Sequence, residues 1–310
     1  MKIIIGDKQG YKINGSMKFL KYVEHGPDYT EPFYVENITD SNETLSIKKS
    51  QSSTPTITIE ISSDRTNWST LGTTSTTAIT RALLPGEKLY MRASINSWAT
   101  GAATYNSIAG MSKVGGNTMS LLYGSRFTGD EVVFPSSNTF VLGGLFNGVN
   151  SLLDASKLLL PAITLNINCY NSMFKGCTSL TTPPVLPATT LANYCYSMMF
   201  NGCTSLTTTP ILPATVLGMG SYYRMFMDCT SLTTAHVLPA TTLTNYCYEQ
   251  MFWSCTNLNY ITCLATDISA GGTNNWVNGV AATGTFYKKA GVTWPSGASG
   301  IPEGWIVTEV

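Results

Sequence analysis

The chain has 310 residues, and its 18 basic and 18 acidic side chains give it a net charge of zero. Nucleic-acid-binding proteins usually have a surplus of basic side chains, and none is present here, so nucleic acid is not expected as a partner. Only 12% of the residues are charged, and no apolar run approaches the roughly 20 residues that a membrane-spanning helix needs. The composition predicts a mainly β protein at a cell or particle surface.

Residues 1–27 are expected to form an N-terminal arm or hairpin. The dipeptide Asn14-Gly15 is typical of a two-residue β-hairpin turn. The apolar run IIIG near the start is too short for a secretory signal. Because exposed strand edges pair readily with other chains, this arm is predicted to contact neighbouring proteins by strand addition.

Residues 28–98 contain short runs in which apolar and polar residues alternate. This period of two, interrupted by turn sequences such as SSDRTNW and LLPGEK, indicates strands that bury one face. The pattern predicts a small Ig-like β-sandwich. The residues expected on the buried faces are Leu45, Ile47, Ile57, Ile59, Ile61, Leu89, Met91, Ala93 and Ile95.

Residues 99–133 begin with a stretch rich in Gly, Ala and Ser, ATGAATYNSIAGMSKVGGNT. Such composition is typical of a loop between folded units. We therefore predict a linker and an N-terminal cap here, so that the chain would consist of two bodies.

Residues 134–265 repeat a single phrase at a fixed interval of 26 residues, as in MFKGCTSLTTPPVLPAT from Met173 and MFNGCTSLTTTPILPAT from Met199. A constant period in the twenties predicts a solenoid in which each unit stacks on its neighbours. The last copy and the two units before Leu160 are degenerate. The conserved columns are Phe174, Phe200, Phe226 and Phe252; Tyr170, Tyr196, Tyr222 and Tyr248; and Leu160, Leu186, Leu212 and Leu238, each followed by proline.

Each unit is predicted to contain one short helix and one strand. Leu191, Cys195 and Met199 follow one another at intervals of four residues, which favours one face of a helix. Gly202 is placed where a helix would end. The following SLTTTPILP is rich in β-branched residues and is predicted to be extended.

The eight cysteines all lie between Cys169 and Cys263. Most fall on two repeat columns, in one of which Ser221 stands in place of a cysteine, and Cys263 is aligned with Val237. A residue that serine or valine can replace is expected to be a small core filler with a free thiol. Disulfides between adjacent coils are the alternative.

The repeat unit, as in GCTSLTTPPVLPATTLANYCYSMMF, resembles that of the BspA-like leucine-rich-repeat proteins of Bacteroides-type bacteria and their phages. The resemblance covers residues 119–310, including a C-terminal cap over 266–310. It implies a binding protein without catalytic activity. The N-terminal sandwich is similar to the Ig-like modules that precede such repeats in phage tail and fibre proteins.

Residues with catalytic potential are few. The chain has two histidines, His25 and His236, and the central repeats hold the acids Asp228 and Glu249 on different units. No CxxC pair is present, which disfavours zinc. We therefore predict no enzymatic activity, no catalytic residue, no cofactor and no metal site.

Candidate partner-binding residues are the variable positions between the constant columns. The outward positions of the predicted helices bring together Met219, Tyr223, Met227 and Trp253, which are residue types common at binding hot spots. The alternative interpretation is that these residues pack partly on the helix shell. A second candidate is the strand side, which contains Thr181, Thr207, Thr209, Thr233, Pro183, Ala235 and His236.

The function expected from these features is recognition at the surface of a virion, as in a phage tail or head fibre or a decoration protein. The N-terminal region would contact other virion proteins, and the solenoid would bind a host surface protein or glycan; a homo-oligomer is possible. The alternative is a BspA-like adhesin on the bacterial outer surface. A polysaccharide-active enzyme is a third class, but it would need a cluster of acids.

Overall fold

The computed structural model describes residues 27–49, 57–93, 106–134, 140–268 and 271–310, together with the backbone of three strands before residue 20. The fold is mainly β with little helix. The N-terminal strands β1 (Ile3–Ile5), β2 (Lys8–Ile13) and β3 (Ser16–Phe19) form a small antiparallel sheet in that order. Ile13 is paired with Ser16, so β2 and β3 are neighbours on either side of Asn14-Gly15, which lie outside the described residues.

The front half of the chain contains two sheets, and buried residues from both belong to one hydrophobic core. One has three strands in the order β10-β5-β8, and the other has six in the order β12-β11-β4-β9-β6-β7. All pairs are antiparallel except β11 with β12. The strands are β4 (Tyr34–Glu36), β5 (Glu43–Lys49), β6 (Thr58–Ser62), β7 (Ser69–Thr73), β8 (Ile79–Leu83), β9 (Lys88–Ala93), β10 (Asn106–Ala109), β11 (Lys113–Asn117) and β12 (Asp154–Leu159).

The period-two pattern places the expected residues in the core. Leu45, Ile47, Ile57, Ile59, Leu89, Met91 and Ala93 are each at most 2% exposed. Ile61 is only partly buried and packs against the core, and Ile95 lies outside the described residues. These inward faces are therefore confirmed for all described positions except Ile61.

The segment predicted as a linker differs from that prediction. Within residues 99–133, β10 pairs with β5 and β11 pairs with β4, so both sheets depend on it. Its glycines are needed for close backbone approach: a Cβ on Gly110 would lie 1.8 Å from the Thr44 carbonyl oxygen, and one on Gly116 would lie 2.0 Å from that of Pro32. Glycine here permits close packing with positive φ, and composition alone does not distinguish that use from a flexible linker.

The front sheets continue directly into the repeats. β12 is parallel to β11, and between them lie the helix α1 (Ser120–Tyr123) and a 3-10 turn, Gly124–Arg126. The buried Phe33 ring stacks on Phe146 at a centroid distance of 6.1 Å. One hydrophobic core runs from the front sheets to the C-terminal strands, so the described chain is not divided into the two separate bodies that were expected.

The repeats form stacked coils, each with a turn segment and an extended segment. The turn segments comprise residues 167–176, 193–202, 219–228 and 245–254. Parallel bridges join neighbouring coils, as between Thr208 and Thr234, 26 residues apart. The structure therefore places equivalent positions of successive units side by side.

The predicted helices are absent from the turn segments. Tyr194 and Met198 both have a φ of 54°, which interrupts any helical ladder. Successive backbone amides donate in turn to a carbonyl of the same coil and to one of the next coil. Met199 N–H donates to Tyr196 O within the coil at 3.2 Å, whereas Phe200 N–H donates to Met225 O in the next coil at 2.9 Å. The helical prediction was wrong because successive four-residue turns resemble the 3.6-residue period of a helix. Over only two such turns the two patterns cannot be told apart.

Two columns of stacked aromatic rings fill the coil interior. Phe174, Phe200, Phe226 and Phe252 are stacked at centroid distances of 5.4, 5.6 and 5.7 Å. Tyr170, Tyr196, Tyr222 and Tyr248 are stacked at 5.7, 6.0 and 6.0 Å. Both columns end on Trp276, which contacts Tyr248 at 6.1 Å and Phe252 at 6.2 Å. The repeat period thus serves to place each ring on its predecessor.

All eight cysteines are buried and free, which confirms the interpretation as core fillers. The thiol of Cys203 donates to Phe174 O at 3.1 Å, and that of Cys229 donates to Phe200 O at 3.1 Å. Cys263 is bridged to Leu238, so its alignment with Val237 was wrong. The last coil is one residue shorter, which moves Cys263 into the inward-facing leucine column.

The C-terminal region, predicted as an irregular cap, contains regular strands. β13 (Tyr260–Cys263), β14 (Thr285–Lys288) and β15 (Ile306–Glu309) form a parallel sheet in that order. Trp276 is fully buried, and Trp294 and Trp305 are 8% and 7% exposed. The region from 266 therefore closes the stack with large aromatic residues.

Candidate functional site

The proposed contact residues Met219, Tyr223 and Met227 occupy equivalent positions in one turn segment. Each precedes a residue with positive φ: Gly220, Arg224 and Asp228. The four-residue spacing therefore directs these three side chains to one side of the coil even though no helix is present. We call this side, together with Trp253, the turn face.

Trp253 lies in the neighbouring coil beside Met227. The amide of Asp228 donates to the Trp253 carbonyl at 2.8 Å, which fixes the two coils side by side. Met219 is 37% exposed, whereas Tyr223, Met227 and Trp253 are half-buried. The turn face is therefore a shallow surface that is already partly packed.

Arg224 holds part of this face in place. Its guanidinium lies 4.7 Å from the ring centroid of Tyr223, and its Nε donates to Gln250 Oε1 at 2.5 Å. Burial raises the pKa of the Tyr223 hydroxyl, so the phenol is neutral near pH 7. These contacts stabilise the aromatic side chain and reduce what a partner can bury.

His236 lies on the extended segment and is separate from the turn face. Its amide donates to Thr209 Oγ1 at 2.8 Å, and its Nδ1 lies 3.3 Å from the same oxygen. Among the described residues, no hydrogen bond joins His236 to Met219, Tyr223 or Trp253. The structure therefore brings the four turn-face residues together and places His236 elsewhere.

A row of exposed aliphatic side chains follows the extended segments. Val185 is 69% exposed, Ile211 is 63% exposed and Val237 is 46% exposed, and the three are 26 residues apart. Sequence reasoning named the threonines of this side but missed the aliphatic row. The signal was the β-branched residue directly before each Leu-Pro pair, where alternation directs the leucine inwards and its predecessor outwards.

Threonines border this row on the same segments. Thr181, Thr207 and Thr233 are exposed, and the amide and hydroxyl of Thr233 donate to the Thr207 carbonyl at 2.9 and 3.2 Å. Because backbone bonds tie adjacent coils together, the surface is rigid. We call Val185, Ile211, Val237 and these three threonines the threonine–aliphatic face.

The thiols of the repeats are poorly suited to chemistry at neutral pH. Burial raises the pKa of Cys195 and of Cys229 to about 12, so both remain protonated and weakly nucleophilic. Within the described ranges, no group of three or more His, Cys, Asp or Glu side chains could hold a metal ion. No helix in the described part of the chain is long and apolar enough to cross a membrane.

Comparison with protein-family models, with curated proteins and with solved structures finds no match to this chain.

Proposed function

We propose that this protein is a non-enzymatic recognition protein: an Ig-like β-sandwich followed by a leucine-rich-repeat solenoid that binds a surface partner. In this proposal it belongs to a virion, as a tail or head fibre or a decoration protein, and the solenoid contacts the host. Support comes from the 26-residue stacking, the buried and protonated thiols, and the sequence resemblance to BspA-like repeats.

The exposed aliphatic row carries the proposal. Isolated exposed apolar side chains are ordinary, but a contiguous line of them on a rigid surface is typical of interaction sites. Val185, Ile211 and Val237 are in register on three adjacent coils and are more exposed than any turn-face residue. The proposed contact is therefore the threonine–aliphatic face, with a protein or glycan bound across several coils.

Cell binding tests this proposal directly. Labelled protein would be titrated onto a panel of Bacteroides-type cells, and binding to at least one strain should be saturable. The triple change Val185→Thr, Ile211→Thr and Val237→Thr keeps the β-branched shape and removes the apolar groups. We expect it to weaken binding at least about tenfold, or about 1.4 kcal/mol.

A matched control makes the same kind of change elsewhere. Ile306, Val307 and Val310 are also exposed, at 68%, 44% and 57%, and their replacement by threonine should leave binding unchanged. An equal loss in both triples would contradict a specific face. If Met219→Ser with Tyr223→Ser abolishes binding instead, the turn face is the contact.

The alternative function is a cell-surface adhesin, supported by the same resemblance. An antibody against the chain separates the two functions: detection on purified phage particles supports the virion role, and detection in the bacterial envelope supports the adhesin. The N-terminal arm is proposed to attach the protein in either case.

A further inference from the structure

A cleft of about 340 Å³ lies in the front half of the molecule, away from the repeats. It is formed by the segment before β4, the turn between β6 and β7, strand β9, and the residues of α1 and the following 3-10 turn. Its volume is in the range of small-ligand sites. The lining residues are Asp28, Thr30, Pro32, Arg65, Trp68, Arg92, Ser120, Gly124, Ser125 and Phe127.

Arg92 is fixed in this cleft with part of its guanidinium unused. Its Nε donates to Glu60 Oε2 at 2.8 Å, and its guanidinium carbon lies 4.3 Å from the ring centroid of Trp68. Among the described residues, the Arg92 side chain donates no other hydrogen bond. Its two Nη groups therefore remain able to bind a carboxylate in a paired arrangement.

Arg65 supplies a second cation from a strained turn. Its φ of 67° is unusual for a residue with a side chain. The turn is held by Asp64, whose Oδ1 accepts from the amides of Thr66 and Asn67 at 2.9 and 2.8 Å. These bonds lower the pKa of the Asp64 carboxyl, so the support is present at neutral pH. Trp68 Nε1 donates to the Arg65 carbonyl at 3.0 Å and closes the turn.

Asp28 adds a selective element on the same wall. Its Oδ1 accepts from the hydroxyl and amide of Thr30 at 2.6 and 3.0 Å, and its Oδ2 lies 3.3 Å from Arg65 Nη1. The hydrogen bond from the Thr30 side chain is the main cause of the lowered pKa of Asp28. This carboxylate can accept hydrogen bonds from hydroxyl groups, which a sugar has and sulfate lacks.

From these groups we infer that the cleft binds a carboxylated sugar, of the hexuronic or sialic acid class. Arg92 and Arg65 would receive the carboxylate. Asp28, with the hydroxyl of Ser125, would bind sugar hydroxyls, and the rings of Trp68 and Phe127 would contact the apolar C–H face. This site is independent of the function proposed for the repeats, because none of its residues lies in a coil.

Titration calorimetry on the full-length protein tests this site with four probes: sodium glucuronate, sodium N-acetylneuraminate, glucose and sodium sulfate. At least one acidic sugar should bind with a Kd of about 1 mM or tighter. Glucose lacks the carboxylate and sulfate lacks hydroxyl donors, so both should bind at least about tenfold more weakly.

Arginine variants locate the binding. Arg92→Gln and Arg65→Gln should each weaken binding of the acidic sugar about tenfold or more. Arg81→Gln is the matched control, because Arg81 also pairs with a carboxylate, that of Glu87, but lies outside the cleft; it should bind normally. Thermal unfolding shows whether each variant is folded. If Arg92→Gln unfolds, the test rests on Arg65→Gln, because Arg65 is exposed and its replacement should leave the fold intact.

Several outcomes would overturn the inference. Absence of binding by both acidic sugars at about 20 mM excludes the site. Equal binding of sulfate would indicate a general anion site. Equal binding of glucose would show that the arginines do not bind the carboxylate. An equal loss in Arg81→Gln would place the sugar elsewhere. None of these results bears on cell binding by the threonine–aliphatic face, so the two proposals fail separately.

Discussion

At the scale of single residues, the molecule depends on small and aromatic side chains that recur in register. The thiols of Cys177, Cys203, Cys229 and Cys255 all donate to the carbonyl of a phenylalanine in the preceding coil, at 3.0 to 3.1 Å. A cysteine at this position is small enough for the core, and its thiol gives a second hydrogen bond to a carbonyl that already accepts from a backbone amide. The column is therefore explained by packing and hydrogen bonding, without a disulfide or a metal.

The first prediction concerns alkaline pH. Burial raises the pKa of Cys177 to about 12 and that of Cys247 to about 11, from an ordinary value of 9.0. In the unfolded chain the thiols lose their protons at lower pH than in the folded chain, so rising pH favours unfolding. The contribution to stability is complete below about pH 9 and is lost between pH 9 and pH 12.

Urea unfolding measured from pH 7 to pH 11 checks this prediction. The free energy of unfolding should be level up to about pH 8.5 and then fall. Cys263→Val removes one titrating thiol at a position paired with Leu238, and this variant should lose less stability over the same range. A free energy that stays constant up to pH 11 would contradict the buried, protonated state.

At the scale of structural elements, the coil is the unit of folding. Each coil supplies one ring to each aromatic column and forms hydrogen bonds with its neighbours through alternate amides. Phe200 lies 5.4 Å from Phe174 and 5.6 Å from Phe226, distances typical of offset stacking. Stability in such arrays is approximately a sum over coils and their interfaces.

The second prediction follows from this periodicity. Deletion of residues 190–215 removes one whole unit and rejoins Thr189 to Val216, so every column stays in register. The shortened protein should fold cooperatively, with a lower unfolding temperature. Circular dichroism and thermal unfolding measure both properties.

Deletion of only residues 190–202 is the control. It removes half a unit and sets Phe226 out of register with Phe174, which removes contacts worth about 3–5 kcal/mol for each displaced aromatic ring. This protein should be insoluble or unfolded. Comparable stability in the two deletion variants would contradict the stacking of coils in register.

At the scale of the whole molecule, the front sheets and the coils share one core. Strand β11 pairs with β4 on one side and with β12 on the other, and Phe33 stacks on Phe146. The boundary predicted at residue 98 lies inside the front sheets, because β10 and β11 come after it. The front half is thus completed by residues that the composition assigned to a linker.

The third prediction tests this dependence. A fragment of residues 28–98 lacks β10 and β11 and exposes the core positions that Ile108 and Val114 cover, both of which are fully buried in the whole chain. We expect this fragment to remain unfolded. A chain of residues 27–310 should unfold cooperatively, because the sheet β1-β2-β3 pairs with no other described strand. Independent folding of 28–98 would restore the two-body interpretation.

The sequence by itself determined the features that repeat or alternate. Period two located the inward faces of β5, β6 and β9, and the 26-residue period located the stacked Phe and Tyr columns and the buried cysteines. These features could be predicted because burial selects the same residue type whenever the backbone returns to the same position. The proposed contacts Met219, Tyr223 and Met227 also fall on one face, since their spacing of four residues matches the turn period.

Tertiary structure alone decided the features that depend on residues far apart in the chain. The amides of Tyr194 and Met198 donate to carbonyls of the next coil, so turns replace the predicted helix. Local helix propensity cannot predict a hydrogen-bond partner that lies so far along the chain. Gly110 and Gly116 serve close backbone contacts with Thr44 and Pro32 rather than flexibility. The cleft around Arg65 and Arg92 is likewise formed by four distant segments, and no local pattern records their meeting.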